Sequence, residues 1–123
     1  MTQNLVSLRL ATDDLTAIEA ALDSLEQRLT GLVGLTPDER RELTKMGDKS
    51  EAFCRQAVVT LGKHSEVLPR NFDLDEYRAD LAALDALRPI IARMQRLYER
   101  MVDTETALGS DVRDRPLERE ATL

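Results

Sequence analysis

The sequence is poor in the residues that build disulfide frameworks, sheets and catalytic centres. It has one cysteine, one histidine, no tryptophan and only 3% aromatic residues. The single cysteine, Cys54, excludes an intramolecular disulfide and fits a reducing compartment. Few aromatic residues together with abundant Leu and Ala argue against a sheet protein and favour helical packing.

Long apolar runs are also missing. No stretch is apolar enough to span a bilayer, and the N-terminus lacks the basic start and apolar core of a signal peptide. We therefore expect a cytoplasmic protein with no membrane partner. The net charge of −6 disfavours nucleic acid as a general partner, because the phosphate backbone attracts basic surfaces.

The clearest periodicity predicts the first helix. Thr12, Asp13 and Asp14 mark its start, since acidic residues in the first turn favour the helix dipole. Apolar residues then recur at spacings of 3, 4, 3, 4 and 3, which is a heptad seam typical of a bundle helix or coiled coil: Leu15, Ile18, Leu22, Leu25, Leu29 and Leu32. Gly34 predicts a left-handed C-cap. Only Leu35 separates it from Thr36, which is the predicted cap of the next helix, and so short a connection predicts an antiparallel second helix.

Residues 36–62 predict that second helix. Thr36 with Glu39 forms a capping box, and Pro37 suits the first helical position. The residues that share one side at about 100° per residue predict a buried seam: Leu43, Gly47, Ser50, Cys54, Ala57 and Leu61, with Met46 and Phe53 beside them. We interpret Gly47 as a point of close helix approach, in preference to a kink or an end.

The outer side of the second helix carries a basic stripe. Arg41, Lys45 and Lys49 are spaced by four, and Asp48 lies among them. One interpretation is a solvated face with local ion pairs. The other is a site for an anionic ligand or an acidic protein partner, formed by Arg41, Lys45, Asp48 and Lys49.

The third helix is predicted to start with a capping box at Asp73 and Glu76. Leu74, Tyr77, Leu81 and Leu84 form its first stripe, and Pro89 predicts a kink or a break. The apolar face that follows covers an arc of about 140°, wider than one neighbouring helix can cover. We therefore predict an oligomer interface, most simply of a homodimer, formed by Ile90, Ile91, Met94, Leu97, Tyr98 and Met101.

The ends of the chain lie outside the predicted bundle. Residues 1–11 form an extended N-terminal arm that is docked or disordered, pairs with the same segment of a second subunit, or extends the first helix. Residues 112–123 combine charge with a proline and predict a disordered tail. The fold class is all-α: an antiparallel bundle of three long helices in residues 12–111, with a short fourth helix at Asp103 and Thr104 left open.

Catalytic and cofactor motifs are not recognisable. Cys54 is interpreted as a small buried hydrophobe, Ser50 faces the packing side, and His64 stands alone in a loop. A metal site needs three or four convergent ligands, and no Gly-rich phosphate loop is present. The sequence therefore predicts a protein that is not an enzyme and binds no metal and no cofactor.

Three segments resemble a family of small uncharacterised bacterial helical-bundle proteins: LTPDERRELTKMGDKSEAFCRQA, FDLDEYRADLAALDALRP and DTETALGSD. The resemblance covers residues 5–113 and is most specific from Lys45 to Ser50 and at Phe53. It implies a soluble bacterial protein with a bundle of about four helices, and it carries over no activity or cofactor. After Asp111 the chain departs from the family pattern, which continues as an amphipathic helix.

From these observations we expect a non-enzymatic helical interaction or scaffold protein that acts as a homodimer. Its interface is the apolar face from Ile90 to Met101, because the departure after Asp111 leaves that face without a covering helix. The alternative is a regulatory or ligand-binding module that uses the basic stripe of the second helix for an anionic partner.

Overall fold

The computed structural model describes residues 3–122, and the side chains of residues 3–115. The described residues contain four α-helices and one short 3-10 helix, and no strand. The helices are α1 (Thr12–Arg28), α2 (Pro37–Glu42), α3 (Asp48–Lys63) and α4 (Leu74–Thr122), and the 3-10 turn covers Ser65–Val67. The predicted all-α class is therefore confirmed.

Three predicted helix starts are confirmed, because each depends on local capping chemistry. Helix α1 begins at Thr12, and the Asp14 carboxylate accepts a hydrogen bond from the Ala11 amide at 3.2 Å. Helix α2 begins at Pro37. Proline suits this position because a backbone N–H at the first helical residue would have no acceptor within the helix. At the start of α4 the Asp73 carboxylate accepts from the Glu76 amide at 3.0 Å.

The predicted second helix is wrong as a single element, because residues 43–47 separate α2 from α3. Gly47 is the N-cap of α3, with an extended backbone at φ −83° and ψ 177°. A Cβ at Gly47 would meet nothing within 4 Å, so no neighbouring helix approaches it closely. Gly47 therefore lies at a helix boundary and caps the start of α3, in contrast to the predicted point of close helix approach inside one helix.

The end of α1 also differs from the prediction. The helix ends at Arg28 with Leu29 as C-cap, before the predicted seam reaches Leu32. Among the described residues no glycine has a positive φ, so Gly34 does not form the predicted left-handed cap. Residues 29–36 connect α1 to α2, which is a longer connection than the sequence predicted.

Helix α4 is continuous where the sequence predicted interruptions. It is helical on both sides of Pro89 and through Asp103 and Thr104, so there is no break and no separate fourth helix there. Asp85 and Arg88, on the turn before Pro89, are both ion-paired to α3, and these contacts hold the turn that the proline weakens. Residues 112–122 continue α4, in contrast to the predicted disordered tail, while Leu123 lies outside the described residues.

The chain divides into two compact units. One comprises Met1–Asp38 with Glu99–Leu123, and the other comprises Glu39–Tyr98. In the second unit, α3 and the first part of α4 pair antiparallel, since Glu51 contacts Arg88, Arg55 contacts Asp85, and a Cβ at Gly62 would meet the Arg78 guanidinium. Their facing sides are half-buried and include Cys54, Val58, Leu61, Tyr77, Leu81 and Leu84.

In the first unit, the N-terminal segment, defined as residues 3–10, contacts α4 at one buried carboxylate. Asp111 is 2% exposed. It accepts hydrogen bonds from the amides of Leu5 at 2.9 Å and Val6 at 3.2 Å, and from Gln3 Nε2 at 3.0 Å. The same Gln3 amide donates to Ser110 Oγ at 2.8 Å. Met1 and Thr2 of the predicted arm lie outside the described residues.

The described part of the chain has no buried hydrophobic side chain. The predicted seam of the second helix is therefore at most half-buried, and Phe53, predicted to fill space beside it, is 74% exposed. The heptad residues of α1 are likewise exposed. Apolar periodicity predicted which residues share a face of α1, but it did not determine whether a neighbouring helix covers that face.

Candidate functional site

A network of four charged side chains joins α3 to α4. The Arg55 guanidinium donates to both oxygens of Asp85, at 2.6 Å and 3.0 Å, and to Glu51 Oε2 at 3.3 Å. Arg88 Nη2 reaches Glu51 Oε1 at 2.5 Å. The network contains two cations and two anions, so its net charge is zero, and each charged group is hydrogen-bonded to a group of opposite charge within the network.

The network shifts the titration of each of its members. The hydrogen bond from Arg88 is the main cause that lowers the pKa of Glu51, and the bond from Arg55 lowers the pKa of Asp85. The two carboxylates in turn raise the pKa of both guanidinium groups. These shifts favour the charged form of each group, so all four groups stay charged at neutral pH and the network joins α3 to α4 by ion pairs.

The only cysteine lies beside a tyrosine on the same pair of helices. The Tyr77 hydroxyl donates to the Cys54 carbonyl oxygen at 3.2 Å, and the contact with Cys54 raises the pKa of Tyr77. The Phe72 ring lies 6.0 Å from the Tyr77 ring. Cys54 is half-buried, which is less than the full burial predicted for it.

The four residues of the predicted partner-binding site are distributed over three segments. Arg41 lies in α2, Lys45 in the break between helices, and Asp48 and Lys49 in the first turn of α3. Lys45 Nζ donates to the Leu43 carbonyl at 2.8 Å. Because α2 ends at Glu42, these side chains do not form one stripe on a continuous helix, and their role in partner binding stays a prediction.

The predicted oligomer interface lies on one helix and is exposed. We call its six residues the α4 apolar surface. Five belong to the unit Glu39–Tyr98, and Met101 belongs to the other unit. Their exposed fractions range from 40% to 64%: Ile90, Ile91, Met94, Leu97, Tyr98 and Met101.

A second apolar row is exposed on α1. We call Leu15, Ile18, Leu22 and Leu25 the α1 seam. Their exposed fractions lie between 37% and 48%, although their spacings of 3, 4 and 3 are those of side chains that pack against a partner helix. Sequence reasoning found this row but assigned it to the interior of the bundle.

The described residues form one shallow candidate site for a small molecule. A depression of about 460 Å³ is lined by six consecutive residues at the start of α4, residues 70–75, and thus by a single stretch of chain. Within the same residues, no group of three or more His, Cys, Asp or Glu side chains could hold a metal ion. None of the helices in this part of the chain is long and apolar enough to cross a membrane.

Comparison with known proteins gives no match: no family model, no curated protein and no solved structure is similar to the chain.

Proposed function

We propose that the chain is a non-enzymatic helical interaction protein that acts as a homodimer through the α4 apolar surface. The observation that carries this proposal is the exposure of six large apolar side chains on one helix, in a chain whose described residues include no buried hydrophobic side chain. Contiguous apolar surfaces of this kind mark interaction sites in folded proteins.

The proposal also includes the arrangement of the helices, the N-terminal arm and the cellular location. We take the antiparallel pairing of α3 with α4 as one half of a helical bundle that the second copy completes. The hydrogen bonds from Leu5 and Val6 to Asp111 support a docked N-terminal arm. The single cysteine fits a cytoplasmic location.

Light scattering on the purified chain tests the proposal. We expect a dimer at micromolar concentration, and we expect Met94→Arg to be monomeric because it places a charge in the centre of the α4 apolar surface. Ala92→Arg is the matched control, since Ala92 is exposed about 160° around the helix from Met94. The control should remain dimeric, and both variants should keep the helical content of the parent chain.

Two results would contradict the proposal. A parent chain that is monomeric at tens of micromolar would show that the α4 apolar surface does not self-associate. Equal weakening by Met94→Arg and Ala92→Arg would show that the association does not use this face.

A further inference from the structure

The proposed homodimer leaves open which part of the second copy covers the α4 apolar surface. The α1 seam is exposed and matches it in spacing. Leu15, Ile18, Leu22 and Leu25 are separated by 3, 4 and 3 residues, and so are Leu87, Ile90, Met94 and Leu97 on α4. Leu87 is half-buried and the other three α4 residues are exposed. Two helices with the same heptad spacing can interdigitate along about three turns.

The charges beside the two rows have opposite sign. Between Thr12 and Arg28, α1 carries five carboxylates and one arginine. Asp23 and Glu26 lie along one edge of the α1 seam, with Glu19 on the same edge. On α4, Arg93 borders the apolar row, Arg96 lies further out on the same side, and both are exposed. The acidic edge of α1 and this basic side of α4 attract each other and favour one register of a helix pair.

The positions of these edges also fix the direction of the pair. In heptad positions, Glu19 and Glu26 are e residues of α1, and Arg93 is a g residue of α4. Positions e and g of facing helices come together when the helices are parallel, whereas antiparallel helices bring e to e and g to g. The charges on the two helices therefore favour a parallel arrangement.

The same reasoning disfavours pairing of α1 with a second α1. A parallel pair would set Asp14 against Glu19 of the other copy, and an antiparallel pair would set Glu19 against Glu26. Like charges directly opposite each other cost free energy in either direction. The basic edge of α4 is the better partner for the acidic edge of α1.

We propose that α1 of each copy packs parallel to α4 of the other copy, with Leu22 beside Met94 and Glu26 beside Arg93. This inference rests on the proposed homodimer and names the partner segment of its interface. The exchange is reciprocal, so one dimer contains two identical contacts between α1 and α4 and obeys twofold symmetry.

Charge reversal in two separate chains tests this arrangement. Chain one carries Asp23→Arg and Glu26→Arg, and chain two carries Arg93→Glu and Arg96→Glu. Each chain alone should dimerise about tenfold more weakly or worse, because like charges then line both contacts. An equimolar mixture should recover dimers that contain one copy of each chain, because both contacts are then complementary. Native mass spectrometry identifies these mixed dimers by mass.

Ala20→Arg with Gln27→Arg is the control for α1, because both residues are exposed at heptad position f, on the side opposite the α1 seam, and two arginines there should leave the dimer intact. Circular dichroism checks that every variant keeps its helices. If either charge-reversed chain still dimerises like the parent, or the mixture stays monomeric, the assignment of α1 to α4 is overturned even though the homodimer stands. A parent chain that is itself monomeric contradicts the proposed function instead.

Discussion

Asp111 is the one fully buried residue among those with described side chains, and it is a charged one. Its carboxylate is satisfied by two backbone amides and one side-chain amide, which is the arrangement that makes a buried charge tolerable. The hydrogen bond from the Leu5 amide is the main cause that lowers the pKa of Asp111 below 3.8, the ordinary value for aspartate. Arg115 adds a smaller electrostatic contribution in the same direction.

The lowered pKa gives a stability contribution with a definite sign. A carboxyl group whose pKa is lower in the folded state stabilises the fold above its unfolded value near 3.8, and that contribution is lost as the pH falls through the lower folded value. We therefore predict that Asp111→Asn lowers the melting temperature at neutral pH and leaves less difference from the parent chain as the pH falls below about 4. Thermal melts between neutral and acid pH measure this.

Asp103→Asn is the control for this prediction, because Asp103 is exposed on the same helix. It should melt close to the parent chain at every pH. A parent and an Asp111→Asn chain that differ equally at neutral and at acid pH would show that the Asp111 charge does not hold the N-terminal segment.

At the scale of the element, the start of α3 has no side-chain cap. Its N-cap is Gly47, which has no side chain to accept from the free amides of the first turn. The backbone there is in the ordinary extended region, and a Cβ would meet nothing within 4 Å. A larger residue therefore fits without strain.

We predict that Gly47→Ser stabilises the protein by about a few tenths of a kcal/mol, because a serine hydroxyl at the N-cap accepts a hydrogen bond that glycine cannot. Gly47→Ala supplies a side chain without an acceptor and should be neutral or slightly destabilising. Denaturant unfolding of the three proteins side by side measures the difference. A strong loss of stability in both variants would indicate the close helix approach that the sequence analysis assigned to this glycine.

Some features of the helices could be predicted from the sequence and others could not. Helix starts at Thr12, Pro37 and Asp73 were predictable because a cap depends on residues within three positions. The break before Gly47 was missed, since a glycine in a periodic pattern fits either a close approach or a helix end. The network around Arg55 was not predicted at all, because it joins residues that become neighbours only when α3 packs on α4.

Of the two predicted sites, the sequence located one on a helix face correctly and placed the other on a helix that is not continuous. Periodicity placed Ile90 to Met101 on one face of α4, where they lie in the structure. The basic site was predicted on the assumption of one continuous helix, which is divided at residues 43–47, so the spacing no longer places its residues on one face and the site stays a prediction. A spacing of four carries information about a shared face only while the helix is unbroken.

At the scale of the whole molecule, a homodimer ties stability to concentration. If the folded chain gains its apolar cover from a second copy, the melting temperature should rise with protein concentration, because mass action favours the dimer over unfolded chains. Calorimetry over about a hundredfold range of concentration measures the rise. Met94→Arg should melt at one temperature throughout that range. A parent chain whose melting temperature is independent of concentration would indicate a folded monomer.

The contact between Leu5 and Asp111 closes a loop of nearly the entire chain, since its two ends are 106 positions apart. Closing a loop costs entropy that grows with the logarithm of its length. The helices, whose hydrogen bonds are local, can form without it, so we expect it to be made late in folding and to open first in the native state. Hydrogen exchange at the Leu5 and Val6 amides would then report this opening separately from the unfolding of α1 and α4.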